Sequence, residues 1–410
     1  MRLTEITDDL TGAADSGSYF TARGRRVRIC TNGQCSLEHE ADENLTVNLS
    51  SRNTAKDVAR QLHEELLGRL KPGGMYMKKI GTGFRGNDAF ELEGLLKAWP
   101  DYRVFIVDNA PDLGTFTLYG NQYCEGEILP KSVYANDPIF PPTEAYIPSI
   151  LGKDTPQKIG LVDIDAVKGS RETLLQAVER ELAQGAHILV FDAITKADVL
   201  KLLETLAPRY PKVFWTGSLG IADGLAEYLY GSAQPCTFPV RQIRSLCFCA
   251  SAYDIAHKQI AYSAQRGLQT VPLDMDAYIE GDTQVPQRAA GAARELLAQG
   301  SVILYPQVER YSYKPGTSKA IMECFAQAAA AFAPADAFDR LVVIGGETAQ
   351  GVLRQFEAQH LELGRALEPG VAQGRILDGW FAGREFALKG GSMGREDTLE
   401  KMLCRKEVVY

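Results

Sequence analysis

Two adjacent acids near the start of the chain have the residue type and position for proton transfer. Asp8 and Asp9 follow the apolar run Leu3 to Ile6 and precede small residues that predict a helix start. Carboxylates at the carboxyl end of a strand can hold sugar hydroxyls, take a proton or meet a metal ion. Aspartate is also a preferred N-cap residue. We therefore predict one capping residue and one catalytic residue, with the choice of base between Asp8 and Asp9 open.

A second group of candidate residues is basic. The run Tyr76 to Ile80 predicts a strand that contains Lys78 and Lys79 near its end, and Arg85 follows in the next turn. Together they predict a pocket for a carboxylate, which arginine can bind through two parallel hydrogen bonds. Solvated surface charges are the alternative, and they suit one lysine better than all three side chains.

The turn after that strand has a second interpretation. Gly81-Thr82-Gly83-Phe84-Arg85-Gly86 matches the Gly-x-Gly-x-x-Gly pattern of a dinucleotide-binding turn. Three features disfavour it: the unit is not the first strand–helix unit of the chain, two lysines stand in its strand, and an arginine lies within the turn. An NAD(P)-dependent oxidoreductase therefore remains as an alternative function.

Two glycine-rich turns in the C-terminal half have the form of phosphate sites. The apolar run Leu341 to Ile344 leads into Gly345-Gly346-Glu347-Thr348, where we expect a helix to start with help from a Thr348 cap. Backbone N–H groups at a helix start favour an anion. A second run ends in Lys389-Gly390-Gly391, and its lysine could reach a phosphate. Either turn alone could be an ordinary strand-to-helix connection, but two of them favour a nucleotide site.

These candidates require elements that bring them to common edges. Strand and helix patterns alternate in both halves of the chain, which predicts an α/β protein with mainly parallel sheets flanked by helices. With 410 residues the chain is too long for one core. The best boundary is 231–239, which holds two prolines. We predict domains at 1–230 and 244–410, a linker at 231–243, and an active site in the cleft between the domains.

One long connection stands out in the first domain. Residues 111–142 are rich in Gly, Pro, Tyr and Asn, and no helical pattern runs through them. Connections of this length are often functional. We predict an irregular lid or active-site loop.

Composition limits the class of partner. The net charge of −8 disfavours nucleic acid, and no apolar run reaches the ~18 residues of a membrane span. The polar N-terminus lacks a signal-peptide core, so we expect a cytoplasmic protein. The eight cysteines show no Cys-x-x-Cys spacing, which predicts reduced thiols.

The motifs together resemble the four-carbon acid sugar kinase family, the tetronate kinases. Six blocks carry the resemblance in order from Ile6 to near the C-terminus: Thr7-Asp8-Asp9-Leu10-Thr11-Gly12-Ala13, Lys78-Lys79-Ile80 with Arg85-Gly86-Asn87, Asp192-Ala193, Gly217-Ser218-Leu219-Gly220, Gly345-Gly346-Glu347-Thr348-Ala349 and Lys389-Gly390-Gly391-Ser392-Met393-Gly394. The resemblance implies an N-terminal domain for the sugar acid, a C-terminal domain for ATP, and Mg²⁺-assisted phosphoryl transfer to the terminal hydroxyl. The expected partners are the sugar acid and ATP, with a homo-oligomer left open.

Site residues follow from the resemblance by position. On the acid side it implies Asp8, Asp9 and Arg85, to which the neighbouring motif residues Thr11, Lys79 and Asn87 are added as substrate-binding candidates. On the nucleotide side the candidates are Ser251, Gly345, Gly346, Glu347, Thr348, Lys389, Gly390 and Gly391.

The chain also departs from the family pattern. Gly81-Thr82-Gly83-Phe84 replaces the usual Asp-Ser-Thr-Leu, Thr115 stands where an arginine is usual, and Ala250 replaces a glycine. A roomier, less basic pocket is expected, with weak use of threonate or erythronate and better use of a larger acid. A non-catalytic relative that kept only the nucleotide site is the further alternative.

Overall fold

The computed structural model describes residues 2–38, 40, 42–137, 141–312, 314–332, 338–403, 405–406 and 408–410. Its strands are β1 Leu3–Thr7, β2 Arg26–Cys30, β3 Glu43–Asn48, β4 Met75–Lys79, β5 Arg103–Val107, β6 Thr115–Leu118, β7 Asn121–Cys124, β8 Glu127–Ile128, β9 Ile159–Val162, β10 Ile188–Phe191, β11 Val213–Gly217, β12 Val240–Arg241, β13 Ser245–Cys249, β14 Gln269–Asp274, β15 Val302–Gln307, β16 Arg340–Ile344, β17 His360–Leu363, β18 Val371–Ile376, β19 Glu385–Lys389 and β20 Arg405–Lys406.

Its α-helices are α1 Leu10–Thr21, α2 Lys56–Arg69, α3 Asp88–Ala98, α4 Ile147–Gly152, α5 Ile164–Lys168, α6 Arg171–Ala183, α7 Lys196–Leu206, α8 Leu219–Tyr230, α9 Asp254–Gln265, α10 Met275–Ile279, α11 Val285–Leu297, α12 Thr317–Ala330, α13 Gly346–Gln355 and α14 Thr398–Leu403. The chain forms two compact units. Unit 1 consists of Met1–Arg25 and Ser36–Gln234, and unit 2 of Arg26–Cys35 and Pro235–Tyr410.

Unit 1 contains a parallel sheet in the order β3-β1-β4-β11-β5-β10-β9. All five residues of β1 are buried, as expected for a parallel strand with helices on both faces. The chain passes from β1 to β3 on one side and then to β4 on the other, so the strand order reverses at β1 and β4. Ligands of open α/β sheets bind at the carboxyl edge beside such a reversal.

A small antiparallel sheet of β6, β7 and β8 covers part of the region predicted to be an irregular loop. The Asp192 carboxylate fixes its first turn by accepting the backbone N–H groups of Tyr119 at 2.5 Å, Gly120 at 2.8 Å and Ile164 at 2.9 Å. Gln122 binds Asp108 at 2.8 Å. The prediction of irregular structure is therefore wrong for 115–128, because hairpin pairing satisfies the backbone; residues 138–140 lie outside the described part.

Unit 2 has a mixed sheet. Strands β14, β15, β13, β16 and β19 pair in parallel in that order, and β18, β17 and β2 extend the sheet antiparallel. Strand β2 thus belongs to unit 2 although unit 1 surrounds it in the sequence. The α/β prediction with mainly parallel sheets is confirmed. The domain ranges and the cleft stay predictions.

The prediction of eight reduced cysteines is wrong for one pair. Cys30, at the end of β2, and Cys35 form a disulfide with their Cα atoms 6.0 Å apart. The chain reverses within the four intervening positions, and a search for Cys-x-x-Cys spacing does not detect such a pair. Cys124, Cys236, Cys247, Cys249 and Cys324 are free, and Cys404 lies outside the described residues.

Candidate functional site

Asp9 is the N-cap of α1, which confirms the predicted capping role for one aspartate. Its carboxylate accepts the backbone N–H of Gly12 at 3.0 Å and the hydroxyl of Thr11 at 2.6 Å. The Asp9 side chain keeps 18% of its surface exposed. It therefore combines a fixed orientation with access for a ligand at the start of a twelve-residue helix.

Asp8 has a different environment. It is buried, and its two oxygens accept Nε of Arg52 at 2.6 Å and Nη2 at 3.0 Å, while the same Nη2 reaches Asp9 at 3.0 Å. Burial alone would raise the pKa of Asp8, but the Arg52 guanidinium, with Lys78 behind it, holds that pKa well below its usual range. Sequence reasoning missed Arg52. Its signal was its place just after strand β3, whose carboxyl end shares the edge of β1.

Lys78 is not a free charge of the pocket. Its ammonium lies 2.6 Å from Glu91 of α3, and both side chains are fully buried. Burial lowers the pKa of the neighbouring His63 to about 4, so the imidazole is neutral near pH 7. The prediction of three available basic side chains is therefore wrong for Lys78, because a carboxylate one helix away neutralises it.

Lys79 stays available as a cation. It is 6% exposed, and its ammonium donates to the carbonyl of Ile80 at 2.8 Å. In the described part of the chain, it forms no ion pair with a carboxylate. A Cβ placed on Gly12 would lie 3.7 Å from this ammonium. The charge of Lys79 therefore lies beside the N-terminus of α1, where an anion is also favoured by the helix.

Arg85 is covered by residues of the segment after the hairpin. Its Nη1 lies 2.7 Å from Asp137, and its guanidinium stands 5.6 Å from the centre of the Tyr134 ring. A Cβ on Gly83 would come within 3.1 Å of Arg85 and 3.2 Å of Tyr134. The expectation of extra room above Gly83 is therefore wrong, because Tyr134 fills that space. A Cβ on Gly81 would meet only Arg52, at 3.7 Å.

Other parts of the protein also fill the space beside the glycines of the dinucleotide-like turn. A Cβ on Gly86 would lie 2.9 Å from the carbonyl of Arg52. The Asn87 amide, buried, donates to the carbonyls of Ser51 at 2.9 Å and Thr54 at 2.9 Å. Close approach of the backbone to a pyrophosphate is the purpose of glycines in that fingerprint. Here the glycines admit the loop that carries Arg52 instead.

Asp88 is a buried acid that sequence reasoning did not single out. It is 4% exposed, and neither carboxylate oxygen has a hydrogen-bond partner among the described residues. Burial raises the pKa of Asp88 well above its usual range, and the nearby charges of Glu91 and Asp8 raise it further. Burial therefore favours the protonated form of this carboxyl group. Its place as the first residue of α3 gave no signal beyond helix initiation.

The nucleotide-side candidates lie on the carboxyl edge of unit 2. Strands β13, β16 and β19 are neighbours in the sheet, with Cys249 opposite Ile344 and Ile344 opposite Lys389. The turns that follow them carry Ser251, Gly345 with Gly346, and Gly390 with Gly391. The strand order reverses between β13 and β16, as it does at the edge of unit 1. The structure thus brings these candidates together.

Close packing accounts for Gly391 at this edge, and backbone conformation accounts for Gly345. A Cβ on Gly391 would lie 2.3 Å from Oγ of Ser251, so no side chain fits there without moving Ser251. Gly345 has φ +104°, donates to the Lys389 carbonyl at 2.9 Å and is the N-cap of α13. Because a glycine cap has no side chain to accept from the first N–H groups of α13, an anion is favoured at this helix start.

Thr348 was expected to cap α13 and Lys389 to reach a phosphate, and the structure shows other contacts for both side chains. Thr348 does not cap α13; its hydroxyl lies 3.8 Å from the Met322 sulfur, because the glycine cap turns that side chain inward. The Lys389 ammonium donates to the carbonyls of Gly390 at 3.1 Å and Met393 at 3.2 Å, which braces the glycine turn. Glu347 is exposed in the first turn of α13.

Among the residues that the structure describes, no group of three or more His, Cys, Asp or Glu side chains could hold a metal ion. Magnesium in nucleotide sites is commonly held by one or two carboxylates together with phosphate oxygens. A search of the same residues for a helix long and apolar enough to cross a membrane found none.

Comparisons with known proteins cover both units. A family model described as a sugar-binding N-terminal domain matches residues 3–225, and one described as a nucleotide-binding C-terminal domain matches residues 246–399. The chain is 26% identical to a 3-oxo-tetronate kinase of Cupriavidus necator over 97% of its length and 95% of the relative. It is 26% identical to a D-threonate kinase of Bordetella bronchiseptica over 96% and 95%.

Solved structures share the fold. A Salmonella typhimurium LT2 protein superimposes with a TM-score of 0.82 at 21% identity, over 98% of each chain. Haemophilus influenzae protein HI1011 gives 0.74 at 20% identity, over 97% of this chain and 98% of the other. The ordered match of both family models, together with near full-length relatives, leads to one conclusion: the chain belongs to the four-carbon acid sugar kinase family.

Proposed function

We propose that this protein transfers the terminal phosphoryl group of ATP to the terminal hydroxyl of a four-carbon or related sugar acid. The observation that carries the proposal is the carboxyl edge of unit 1. There an oriented and partly exposed carboxylate, Asp9, lies at a helix N-terminus beside Lys79, a cation with no acidic partner in the described part of the chain. A sugar acid presents a hydroxyl and a carboxylate, which match these two groups.

Asp9 is proposed as the residue that orients the hydroxyl and accepts its proton. A general base must reach the reacting hydroxyl and be ionised. Asp8 is ionised but buried against Arg52, whose guanidinium occupies both its oxygens. Asp8 is therefore proposed to hold Arg52, which in turn fixes Asp9.

The other acid-side candidates divide into contact and support. Thr11 and Lys79 are proposed to contact the acid directly, and Arg85 to border it. Asn87 is proposed to act through the loop 51–54, because its amide is already bound to that loop. This division supports a pocket whose walls are positioned before the ligand enters, which lowers the cost of ordering on binding.

On the nucleotide side, the α13 start and the Gly390–Gly391 turn are proposed to receive the phosphates. Gly345, Gly346 and Gly391 let backbone N–H groups approach, Ser251 and Thr348 line the turn, and Lys389 braces it. Glu347 is the exposed carboxylate of this edge and the proposed contact for the magnesium ion of ATP. Magnesium neutralises phosphate charge in such reactions. The protein's own residues supply alignment and the exclusion of water.

Of the alternatives, a dinucleotide-dependent oxidoreductase is disfavoured by the filled space above Gly83 and Gly86. The experiment is an ATP-consumption assay of the full chain with a panel of sugar acids, each with and without Mg²⁺. We expect ADP formation that requires both the acid and Mg²⁺. Tight ATP binding without turnover on any acid would favour the non-catalytic relative instead.

A further inference from the structure

Arg85 is already neutralised in this chain. Its Nη1 lies 2.7 Å from Asp137, with 24% of the arginine side chain and 8% of the aspartate side chain exposed. Tyr134 stands over the guanidinium at 5.6 Å and occupies the space that Gly83 leaves open. Arg85, Asp137 and Tyr134 therefore form a built contact, here called the Arg85 wall, in which Asp137 compensates the charge of Arg85 in the β4–α3 turn.

A ligand carboxylate at this wall meets an obstacle. If it displaces Asp137, a largely buried carboxylate loses its ion pair with Arg85, which is costly in a region of low dielectric. If it lies beside Asp137, two like charges share one guanidinium. A hydroxyl avoids both penalties, because it can donate to Asp137 and accept from the remaining N–H groups of Arg85.

Of the other basic side chains near this edge, two are already paired with carboxylates, which limits where a ligand carboxylate can bind. Arg52 is bound by Asp8 and Asp9, and Lys78 by Glu91. Among the described residues, the Lys79 ammonium donates one hydrogen bond, to the Ile80 carbonyl, and it lies beside the start of α1. An ammonium carries three N–H donors, so two of its donors remain for a ligand.

We propose that Asp137 is a specificity-determining residue: by neutralising Arg85, it makes that side of the pocket select an uncharged, hydroxyl-bearing group, while Lys79 receives the one carboxylate. The inference rests on the proposed function and refines its substrate class to acids with a carboxylate at one end only. Sugar acids with carboxylates at both ends are rejected.

The test compares two ligands that differ at one end. Threonate has a carboxylate and a hydroxymethyl group, and tartrate of the same configuration has carboxylates at both ends. Calorimetry on the full chain should give at least tenfold tighter binding of threonate than of tartrate. In Asp137→Asn, the affinity for tartrate should rise at least tenfold, while the affinity for threonate should change less than threefold. The rise in tartrate affinity should be absent in the double variant Asp137→Asn with Arg85→Met.

A matched control removes the same charge elsewhere in unit 1. Asp154 pairs with Lys56 at 2.8 Å on the surface, with 42% and 54% of their side chains exposed. Asp154→Asn should leave both affinities unchanged. Tartrate binding as tight as threonate in the wild type, or a folded Asp137→Asn protein with no tartrate gain, would overturn the inference.

Two further outcomes are distinguishable. If the wild type binds no threonate but Asp137→Asn still gains Arg85-dependent tartrate binding, the proposed function fails and the role of Asp137 stands. If Asp137→Asn does not fold, Arg85→Met decides. Less than tenfold loss of threonate affinity supports the inference, whereas a loss above 100-fold means that Arg85 holds the substrate carboxylate and overturns it.

Discussion

The two adjacent aspartates show how far residue type and spacing carry a prediction. Their place after β1 was enough to predict a cap and a site residue, and Asp9 is the cap. Their division of labour depends on Arg52, which reaches both carboxylates from a different strand end. Partners that are distant in sequence, such as Glu91 for Lys78 and Asp137 for Arg85, are set by packing that a single sequence does not reveal.

Asp9→Asn tests the proposed base. The amide keeps the size and an oxygen to cap α1 but cannot take a proton, so turnover should fall by about 100-fold or more, with KM for the acid and ATP changed only a few-fold. Steady-state kinetics measures both. Near wild-type turnover would remove Asp9 from proton transfer, and a large rise in KM alone would assign it to binding.

Glu5 gives a prediction for the pH dependence of stability. It is buried in β1, where Ser16 and Thr46 donate to its carboxylate, and burial raises its pKa to about 7. Between pH ~4.3 and 7 the folded state keeps a proton that the unfolded chain has released, so stability falls as pH rises and then levels off. This loss is absent below both pKa values.

Replacing Glu5 by Gln removes that titration. The difference in free energy of unfolding, variant minus wild type, should be larger at pH 8 than at pH 5 by roughly 2 to 3 kcal/mol. Urea unfolding followed by tryptophan fluorescence at the two pH values measures the difference. An equal gap between the two proteins at both pH values would contradict the prediction.

At the scale of elements, the strand and helix alternation was predictable because buried parallel strands and amphipathic helices have distinct periods. Helix α6 buries Leu174, Ala177 and Val178 at the spacing of an amphipathic helix, and all four residues of strand β10 are buried. Strands β17 and β18 escaped prediction, because β17 has only four residues and β18 carries Gln373, Gly374 and Arg375 among its six residues. Hairpin β6–β7 escaped prediction because its turn is bound by Asp192, which is distant in the sequence.

The Gly391 turn should be a strict requirement for nucleotide binding. In Gly391→Ala the new Cβ would fall 2.3 Å from Oγ and 3.0 Å from Cβ of Ser251, so Ser251 must move away from the turn. ATP affinity should drop at least tenfold, with sugar-acid affinity unchanged, as measured by calorimetry. Gly351→Ala is the matched control, because nothing lies within 4 Å of its Cβ inside α13. That variant should bind ATP normally and be more stable by about 0.5 to 1 kcal/mol.

Asp192 should hold the hairpin in place. Its carboxylate satisfies three backbone N–H groups of Tyr119, Gly120 and Ile164, and each buried donor left without an acceptor costs ~1 to 3 kcal/mol. In Asp192→Ala, limited proteolysis should cut within 111–128 at least tenfold faster than in the wild type. Asp154→Ala, on the surface, should show the wild-type pattern. Equal cleavage rates would mean that strand pairing alone fixes the hairpin.

At the scale of the whole molecule, the assignment of β2 could not be predicted. The sequence places Arg26–Cys30 between two elements of unit 1, and neighbouring elements usually pair. In the structure β2 pairs antiparallel with β17, with His360 opposite Cys30 and Leu363 opposite Val27. Two strands more than 300 positions apart pair only where the folded sheet leaves an edge strand without a neighbour. The residue pattern within each strand does not indicate which edge that is.

A fragment of residues 235–410 should therefore be incomplete. Without β2, strand β17 presents unpaired N–H and C=O groups, and such an edge promotes association. The fragment also lacks Thr31, whose hydroxyl donates to the Ala358 carbonyl at 2.9 Å in the full chain. We expect the fragment to bind ADP weakly and to self-associate, and a synthetic peptide of residues 24–36 to raise its melting temperature and restore a monomer. The same peptide with Ile29→Asp should do neither, because Ile29 is fully buried. Melting curves and light scattering measure both effects, and a monomeric fragment indifferent to the peptide would show that the rest of unit 2 folds without its inserted strand.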